Sequence, residues 1–307
     1  MSGNSDTAEQ RSTAAESIGA LLSDLVRTQV DAVLALEGPV RQDRPESVHD
    51  LRVAVRRLRG TLRAHRRSLD RDAAGPLAER LRRLGRSLSD ARDSQVIGEL
   101  LAARLAELPR AERPGPMGRR ISSWSAGQYR HGRHRVLAVL DGAEYTELRG
   151  ALERFAAAPL RPERAARAAR PELRRVLRHE QKRMRRRTAA AGALPAGPDR
   201  DRALHAVRRA AKRARYLAEA AEPVCGKPAR RLARRMRAVQ TLLGERQDTL
   251  LTRWALPRIA ASGHSHGEPG FGYGVLYAAG AAELARCDTE LPGVCAAAGR
   301  RRLARRL

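Results

Sequence analysis

The chain contains the same cationic helix pattern twice, 156 residues apart. Each copy begins with a histidine and continues with basic residues at offsets of +3, +7, +8 and +10. The copies are His49-x-x-Arg52-x-x-x-Arg56-Arg57-x-Arg59 and His205-x-x-Arg208-x-x-x-Lys212-Arg213-x-Arg215. A helix turns about 100° per residue, so offsets of 0, +3, +7 and +10 return to nearly the same side. The pattern therefore predicts two helices, each with one cationic stripe suited to a polyanion.

A second repeated block indicates that the whole chain is duplicated. Leu88-Ser-Asp90-Ala-Arg-Asp93 has a counterpart in Leu243-Gly-Glu245-Arg-Gln-Asp248, 155 residues later. Two blocks at almost the same offset imply a repeated unit about half the chain long. The sequence therefore predicts a disordered polar leader at 1–13, a first helical-bundle repeat at 14–158 and a second repeat at 159–307.

The composition favours packed helices. Of the 307 residues, 42% are hydrophobic but only 3% are aromatic, so the core must consist largely of Leu, Ala and Val. That core suits helices better than a β-sandwich, and no stretch shows convincing strand alternation. Apolar periodicity and Gly/Pro breaks predict helices at 14–36, 48–69, 77–88, 94–108, 119–140, 144–157 and 172–191, around His205 as far as Pro223, at 228–243, at 249–261 and in two closing segments.

The stripe on helix 48–69 lies beside the apolar face of that helix. The predicted buried positions are Leu51, Val55, Leu58 and Leu62, and Ser47 stands before Asp50 at the spacing of a capping box. The stripe spans roughly 60° on a helical wheel and consists of His49, Arg52, Arg56, Arg63 and Arg67. Arg59 lies at its edge, and Arg57 and Arg66 lie outside it. The position of the stripe predicts that it lines a groove between helices.

Net charge and cysteine usage define the class of partner and the compartment. A formal net charge of +27 implies attraction to nucleic acid, anionic membrane or a polyphosphate-like polymer. Cys225, Cys287 and Cys295 form no CxxC pair, which argues against a disulfide framework or a zinc ribbon. No signal peptide and no run of about 18 apolar residues is present. These features predict a soluble protein of the reducing cytoplasm.

The sequence offers binding chemistry without an evident reaction. Asp90, Asp93, Glu245 and Asp248 suggest paired carboxylates, but their repetition favours helix N-caps and pairs with arginine. The His264-x-His266 pair lacks the further ligands of a metal site, and no phosphate-binding glycine loop is present. We therefore predict no catalytic residue, no cofactor and no metal. The repeated histidine favours a ligand role over a merely solvated face, although a core or helix-start role for either histidine stays open.

Three blocks resemble the CHAD family, named for a conserved histidine α-helical domain. They are residues 48–59, residues 204–216 and residues 239–248. The resemblance implies an all-α fold of two four-helix bundles related by a pseudo-twofold axis, with a basic central groove or pore. It also implies that this groove binds inorganic polyphosphate. The ExExK signature of the CYTH triphosphatase domain, which some family members carry, is missing here, so we expect a stand-alone binding module.

The family's ligand positions can be transferred to this chain by position. In the first copy they are His49, Arg52, Arg56, Arg57 and Arg59, with Arg63 on the same stripe, and in the second copy His205, Arg208, Lys212, Arg213 and Arg215. Second-tier positions on the following helices are Arg80, Arg82, Arg235 and Arg237. Ala214 replaces a usual leucine and His65 replaces a common aromatic residue, which affects packing more than the proposed site.

The expected partner is inorganic polyphosphate, with weak nucleic-acid binding as a secondary property and polyphosphate granules as the place of association. Two alternatives from other classes stay open. The first is an RNA-binding basic helical protein, although stacking aromatic residues are scarce. The second is a polyphosphate-processing enzyme, which would need a metal-binding acidic cluster or a phosphoryl-accepting histidine.

Overall fold

The computed structural model describes residues 17–112, 115–301 and 303, with only the backbone described at 90–92. The leader predicted at 1–13 lies outside the described residues. Of the described residues, 86% are helical, and none forms a strand. The prediction of an all-α fold is therefore confirmed.

The longer helices are numbered here in chain order, and shorter helical turns connect some of them. The helices are α1 (Ile18–Ala35), α2 (Ser47–Ala64), α3 (Arg71–Glu107), α4 (Met117–Asp141), α5 (Ala143–Ala157), α6 (Ala169–Gly192), α7 (Pro198–Ala220), α8 (Lys227–His264) and α9 (Phe271–Gly299). Helix α2 packs on α1 and α3, and α3 packs on α4. Helix α7 packs in the same way on α6 and α8, and α8 on α9.

Helix boundaries recur at the offset seen in the sequence. Helix α2 ends at Ala64 and α7 at Ala220, while α3 begins at Arg71 and α8 at Lys227. Both separations are 156 residues, so the cationic stripes lie on corresponding helices. The division into bundles at 14–158 and 159–307 stays a prediction, and so does the pseudo-twofold relation.

Two predicted helix breaks are wrong. The helices expected at 77–88 and 94–108 are one helix, α3, and those expected at 228–243 and 249–261 are one helix, α8. Pro76 stands near the start of α3, where one missing N–H interrupts the ladder only locally. At the break expected in α3 between Leu88 and Ser94, the Ser87 and Ser89 hydroxyls donate to backbone carbonyls of the preceding turn. The polar block is therefore accommodated within the helix.

Smaller boundary predictions also need correction. Ser47 is not a cap, because it is buried inside α2, which starts after Glu46 in a left-handed conformation with φ of 59°. Helix α2 ends at Ala64 rather than at Leu69, and the two predicted closing helices are the single helix α9.

The long helices α3 and α8 pass through two apolar cores. The larger core includes Leu51, Leu58 and Leu88, all fully buried. The smaller core includes Leu101 and Leu256 near the far ends of the same helices. Apolar packing of this kind supplies most of the folding free energy. The polar blocks around Asp93 and Asp248 lie along the helices between these two cores, next to the cationic stripes.

Candidate anion-binding site

Helices α2 and α7 pack together and bring the two cationic stripes into one site. Leu51, Val55 and Leu58 are fully buried on α2, so the neighbouring stripe is held partly out of solvent. The resulting central cluster consists of Arg52, Arg56, Arg208 and Lys212 with the carboxylates Asp93 and Asp248. All six side chains are partly buried.

Like charges crowd one another in the central cluster. Burial and then the positive charge of Arg56 lower the pKa of Lys212 to about 6, from an ordinary value near 10.5. Burial and then Arg52 lower the pKa of Arg56 to about 10. The pKa of Arg208 is lowered chiefly by burial. Desolvated cations without enough counter-charge are costly, so an anion bound here would relieve the repulsion.

The two aspartates offset only part of this charge. Asp93 pairs with Arg52 at 3.3 Å between Oδ1 and Nη1. The pKa of Asp248 is raised by burial, against the lowering effect of Arg208 and Lys212. The predicted pairing of Asp93 with arginine is confirmed, but its predicted helix-cap role is wrong because it lies in the middle of α3. Glu245 likewise lies inside α8 and pairs with Arg286 at 2.7 Å, while the side chain of Asp90 is outside the described residues.

The repeated histidines lie near the start of their stripes. His205 is partly buried, and its Nδ1 lies 3.1 Å from Oε1 of Gln247 on α8. Burial is the main influence that lowers the pKa of His205, and the neighbouring cations lower it further. Both influences favour the neutral imidazole in the free protein. His49 is partly buried in the first turn of α2.

A cavity of about 850 Å³ lies farther along α2, beyond the residues of the central cluster. It lies between α2, the start of α3, and α6. Its charged lining residues are Arg59, Arg63, Arg66, Arg67, Arg71, Arg82, Arg175, Arg183, Glu79 and Glu180, with His179 beside them. Three of the predicted site residues therefore lie in this cavity. The arginines from α6 were not predicted, and the only signal for them was the strongly basic composition of that helix.

The cavity is also a region of crowded positive charge. Burial lowers the pKa of Arg59, and Arg63 and Arg213 lower it further. Arg183 and Arg187 on α6 show the same pattern, with burial first and Arg213 next. Arg213 is partly neutralised, because its Nε donates to Oε2 of the buried Glu180 at 2.6 Å.

The remaining predicted site residues lie elsewhere. Arg57 and Arg215 flank the ring of Tyr216, with their Cζ atoms 5.2 and 4.5 Å from its centroid. Arg80 pairs with Glu147 of α5, and Arg237 pairs with Glu219 of α7. Arg235 is exposed on α8. Arg80, Arg235 and Arg237 line neither the central cluster nor the cavity between α2, α3 and α6.

Among the described residues, no helix combines the length and the apolar character that crossing a bilayer requires.

Two curated proteins of Mycobacterium tuberculosis, uncharacterized protein MT2285 (strain CDC 1551 / Oshkosh) and uncharacterized protein Rv2226 (strain ATCC 25618 / H37Rv), are each 31% identical to the chain over 271 residues. The match covers 87% of this chain and 50% of each relative, so the chain spans about half the length of the curated relatives it matches.

Solved structures share the fold. PptA from Streptomyces chartreusis superposes with a TM-score of 0.66 at 18% identity, covering 90% of this chain and 98% of that protein. The CHAD domain from the plant Ricinus communis gives a TM-score of 0.68 at 20% identity, covering 93% of this chain and 92% of that domain. The family model of the CHAD domain matches residues 24–256. With this match over most of its length, the chain belongs to the CHAD domain family.

Proposed function

We propose that this protein binds inorganic polyphosphate without chemical turnover, through the central cluster formed by its two repeated helices. The observation that carries the proposal is the crowding of Arg52, Arg56, Arg208 and Lys212 at one partly buried place, where Asp93 and Asp248 balance only part of the charge. Phosphate oxygens are strong acceptors for guanidinium groups, which stay charged at every physiological pH. A linear polyanion can also follow the stripes beyond the cluster.

Polyphosphate fits this surface better than a ligand that is recognised through bases. Among the described residues, Tyr216 is the aromatic group beside the central cluster, and Arg57 and Arg215 already flank its ring. Recognition of single-stranded nucleic acid relies on exposed aromatic rings that stack on bases. At the central cluster, cations without a free aromatic ring among the described residues support a ligand made of phosphate alone. The same proposal places the protein in the cytoplasm at polyphosphate granules, which imaging of a fluorescent fusion would test.

Competition binding tests the ligand class. Labelled long-chain polyphosphate is bound at a fixed moderate salt concentration and challenged with unlabelled polyphosphate, tRNA and duplex DNA. Polyphosphate should displace the label best, and orthophosphate should compete poorly. Affinity should fall steeply with salt, because each arginine contact releases counterions. The double variant Arg56→Gln/Lys212→Gln should lose affinity for every polyphosphate length. Unchanged affinity in that variant would refute the assignment of the site.

The absence of turnover is part of the proposal. Glu245, Glu283 and Cys287 have the proximity of metal ligands among the described residues. Arg286 already pairs with both glutamates, at 2.7 and 2.6 Å. A metal ion there would have to displace a cation, which supports a structural role for the group. Polyphosphate should be recovered at its original length after incubation with protein and magnesium or manganese. Shortening that disappears in a His49→Gln or His205→Gln variant would contradict this part.

One observation favours nucleic acid as a second ligand. Trp254 and Tyr277 are 53% and 41% exposed, and Arg258 and Arg253 stack on them at 3.9 and 3.7 Å from the ring centroids. Such pairs can stack on bases. They lie on α8 and α9 near the smaller core rather than in the central cluster. Weak tRNA binding that is lost in Trp254→Ala/Tyr277→Ala, with polyphosphate binding intact, would assign it to this surface.

A further inference from the structure

The two repeats differ at the ends of their cationic stripes. At an offset of 156, Arg63 of the first repeat corresponds to Glu219, and Arg66 corresponds to Glu222. Gly60 corresponds to Tyr216 in the same way. The cationic surface of the first repeat therefore continues along α2 and just past its end, whereas the corresponding positions of the second repeat hold a bulky ring and one acid on α7 and a second acid just after it.

The structure shows what these differences do on the α2 side. Arg63 and Arg66 are exposed side chains that line the cavity of about 850 Å³ between α2, α3 and α6. Eight arginines and two glutamates line this cavity. Glu79 is held by Arg82, with 2.8 Å between Oε1 and Nε, and Glu180 is held by Arg213. The lining therefore keeps a large excess of positive charge, and the volume lies within the range of ligand-binding pockets.

The α7 side is closed by comparison. The cavity beside Tyr216 measures about 250 Å³ and is lined by Arg57, Arg213 and Glu219 together with uncharged residues. Glu219 pairs with Arg215 at 3.5 Å and with Arg237 at 3.1 Å, and Glu222 pairs with Arg230. Arg215, Arg230 and Arg237 therefore already have counter-charges within the protein, and the room for a phosphate chain is much smaller.

The central cluster and the larger cavity are electrostatically continuous. Arg59 is among the cations that lower the pKa of Arg56 in the central cluster. The pKa of Arg59 itself is lowered by burial and then by Arg63 and Arg213 at the cavity. Arg59 lies one helical turn after Arg56 on α2 and also lines the cavity, so the row of guanidinium groups continues from Arg52 and Arg56 through Arg59 into the cavity.

We infer that the binding path for polyphosphate is one-sided: the chain extends from the central cluster into the cavity between α2, α3 and α6, and is stopped at the Tyr216 side. The inference rests on the proposed function and adds to it a direction and a length-dependent part of the site. Short chains fill the central cluster, and longer chains gain affinity by adding contacts with the cavity arginines.

A chain-length series tests this inference. Affinity is measured at fixed salt for polyphosphates of increasing length, with the parent protein and with Arg63→Gln/Arg66→Gln. The variant should bind the shortest chains within about twofold of the parent. Its affinity for long chains should be about tenfold weaker. The slope of log affinity against log salt concentration should be shallower by about 1.4, because each lost contact with a single-stranded polyanion reduces that slope by roughly 0.7.

A charge-matched control separates this path from general attraction. Arg119→Gln/Arg130→Gln removes the same charge from exposed positions on α4 that line neither cavity. This control should follow the parent at every length. Equal losses in both variants, or an equal loss for short and long chains in Arg63→Gln/Arg66→Gln, would overturn the one-sided path.

The outcomes distinguish the inference from the proposed function. If Arg56→Gln/Lys212→Gln weakens binding at all lengths while Arg63→Gln/Arg66→Gln matches its control, the proposed function stands and the one-sided path fails. If the parent binds no polyphosphate at any length, the proposed function fails first. Circular dichroism of each variant checks that its helix content matches that of the parent.

Discussion

Lys212 and Arg56 occupy corresponding positions of the two repeated helices, and after burial the charge of Arg56 is the largest influence that lowers the pKa of Lys212, to about 6. The ligand-free protein thus holds a neutral lysine at the middle of its most basic surface at pH 7. A polyanion that binds there raises the pKa of Lys212, because it favours the charged ammonium.

Polyphosphate binding should take up a proton at Lys212. The free pKa is about 6, and a bound polyanion raises it. Between the free and the bound pKa, affinity should therefore fall as pH rises, by up to about tenfold per pH unit for one proton. Calorimetry at pH 7.5 in buffers of different ionisation enthalpy measures the uptake. Lys212→Arg is the matched control, since arginine stays charged before and after binding. Equal proton uptake in both proteins would contradict the assignment to Lys212.

Lys212 should also destabilise the ligand-free fold. In the unfolded chain a lysine titrates near about 10.4, so between about pH 6 and 10 the unfolded state binds more protons. The free energy of unfolding should rise with pH across this window and decrease as pH falls toward 6. Lys212→Met should flatten that dependence and raise Tm at pH 7 by about 2–4 °C or more, a change of at least about 1 kcal/mol. The exposed Lys227→Met serves as the control and should change neither.

His205 should contribute to binding at the acidic end of the pH range. Burial lowers its pKa below the ordinary value, and a bound polyanion raises it again. Its contribution is therefore present below the free pKa and is lost as pH rises through the bound pKa. His205→Gln should weaken polyphosphate binding several-fold at pH 5.5 and much less at pH 8.5. The exposed His131→Gln is the control, and matching profiles for the two variants would assign His205 to packing.

The Glu180–Arg213 pair should couple folding to ligand binding. Their side chains are only 4% and 13% exposed, and the pair is 2.6 Å long. Glu180→Gln leaves Arg213 without its counter-charge beside Arg183 and Arg187, which should cost about 3 kcal/mol of stability. Polyphosphate should restore more Tm in this variant than in the parent, because phosphate replaces the missing charge. Glu219→Gln, a more exposed glutamate, should show a smaller change. Equal stabilisation of all three proteins by polyphosphate would contradict this coupling.

Local periodicity explains why the sequence predicted the stripes so well. On α2, the buried positions Leu51, Val55 and Leu58 follow the helical repeat, so the side of the helix that carries Arg52 and Arg56 is determined by spacing alone. The same holds for α7. Family membership followed from the order of three such local blocks, and the family match confirms it.

Helix ends were predicted less well, because they depend on competing local interactions. The polar block before Asp93 resembles a turn, yet serine hydroxyls bond within the helix and Asp93 pairs with Arg52 of α2. Packing of α3 against α2 and α4 supports a continuous helix across that block. A propensity for turns is a weak effect compared with burial along both sides of a helix.

The sequence by itself determined an all-helical chain with two histidine-headed cationic stripes at an offset of 156 residues, since spacing along one helix decides which residues share a side. Only the tertiary structure decided that Arg56 lies near Lys212, that Arg175 and Arg183 of α6 join Arg63 around a cavity, and that Tyr216 and Glu219 line a second, smaller cavity. The physical reason is that periodicity gives the direction of a side chain but not its partner on another helix. Burial and charge crowding depend on those partners, and they exist only after the helices have packed.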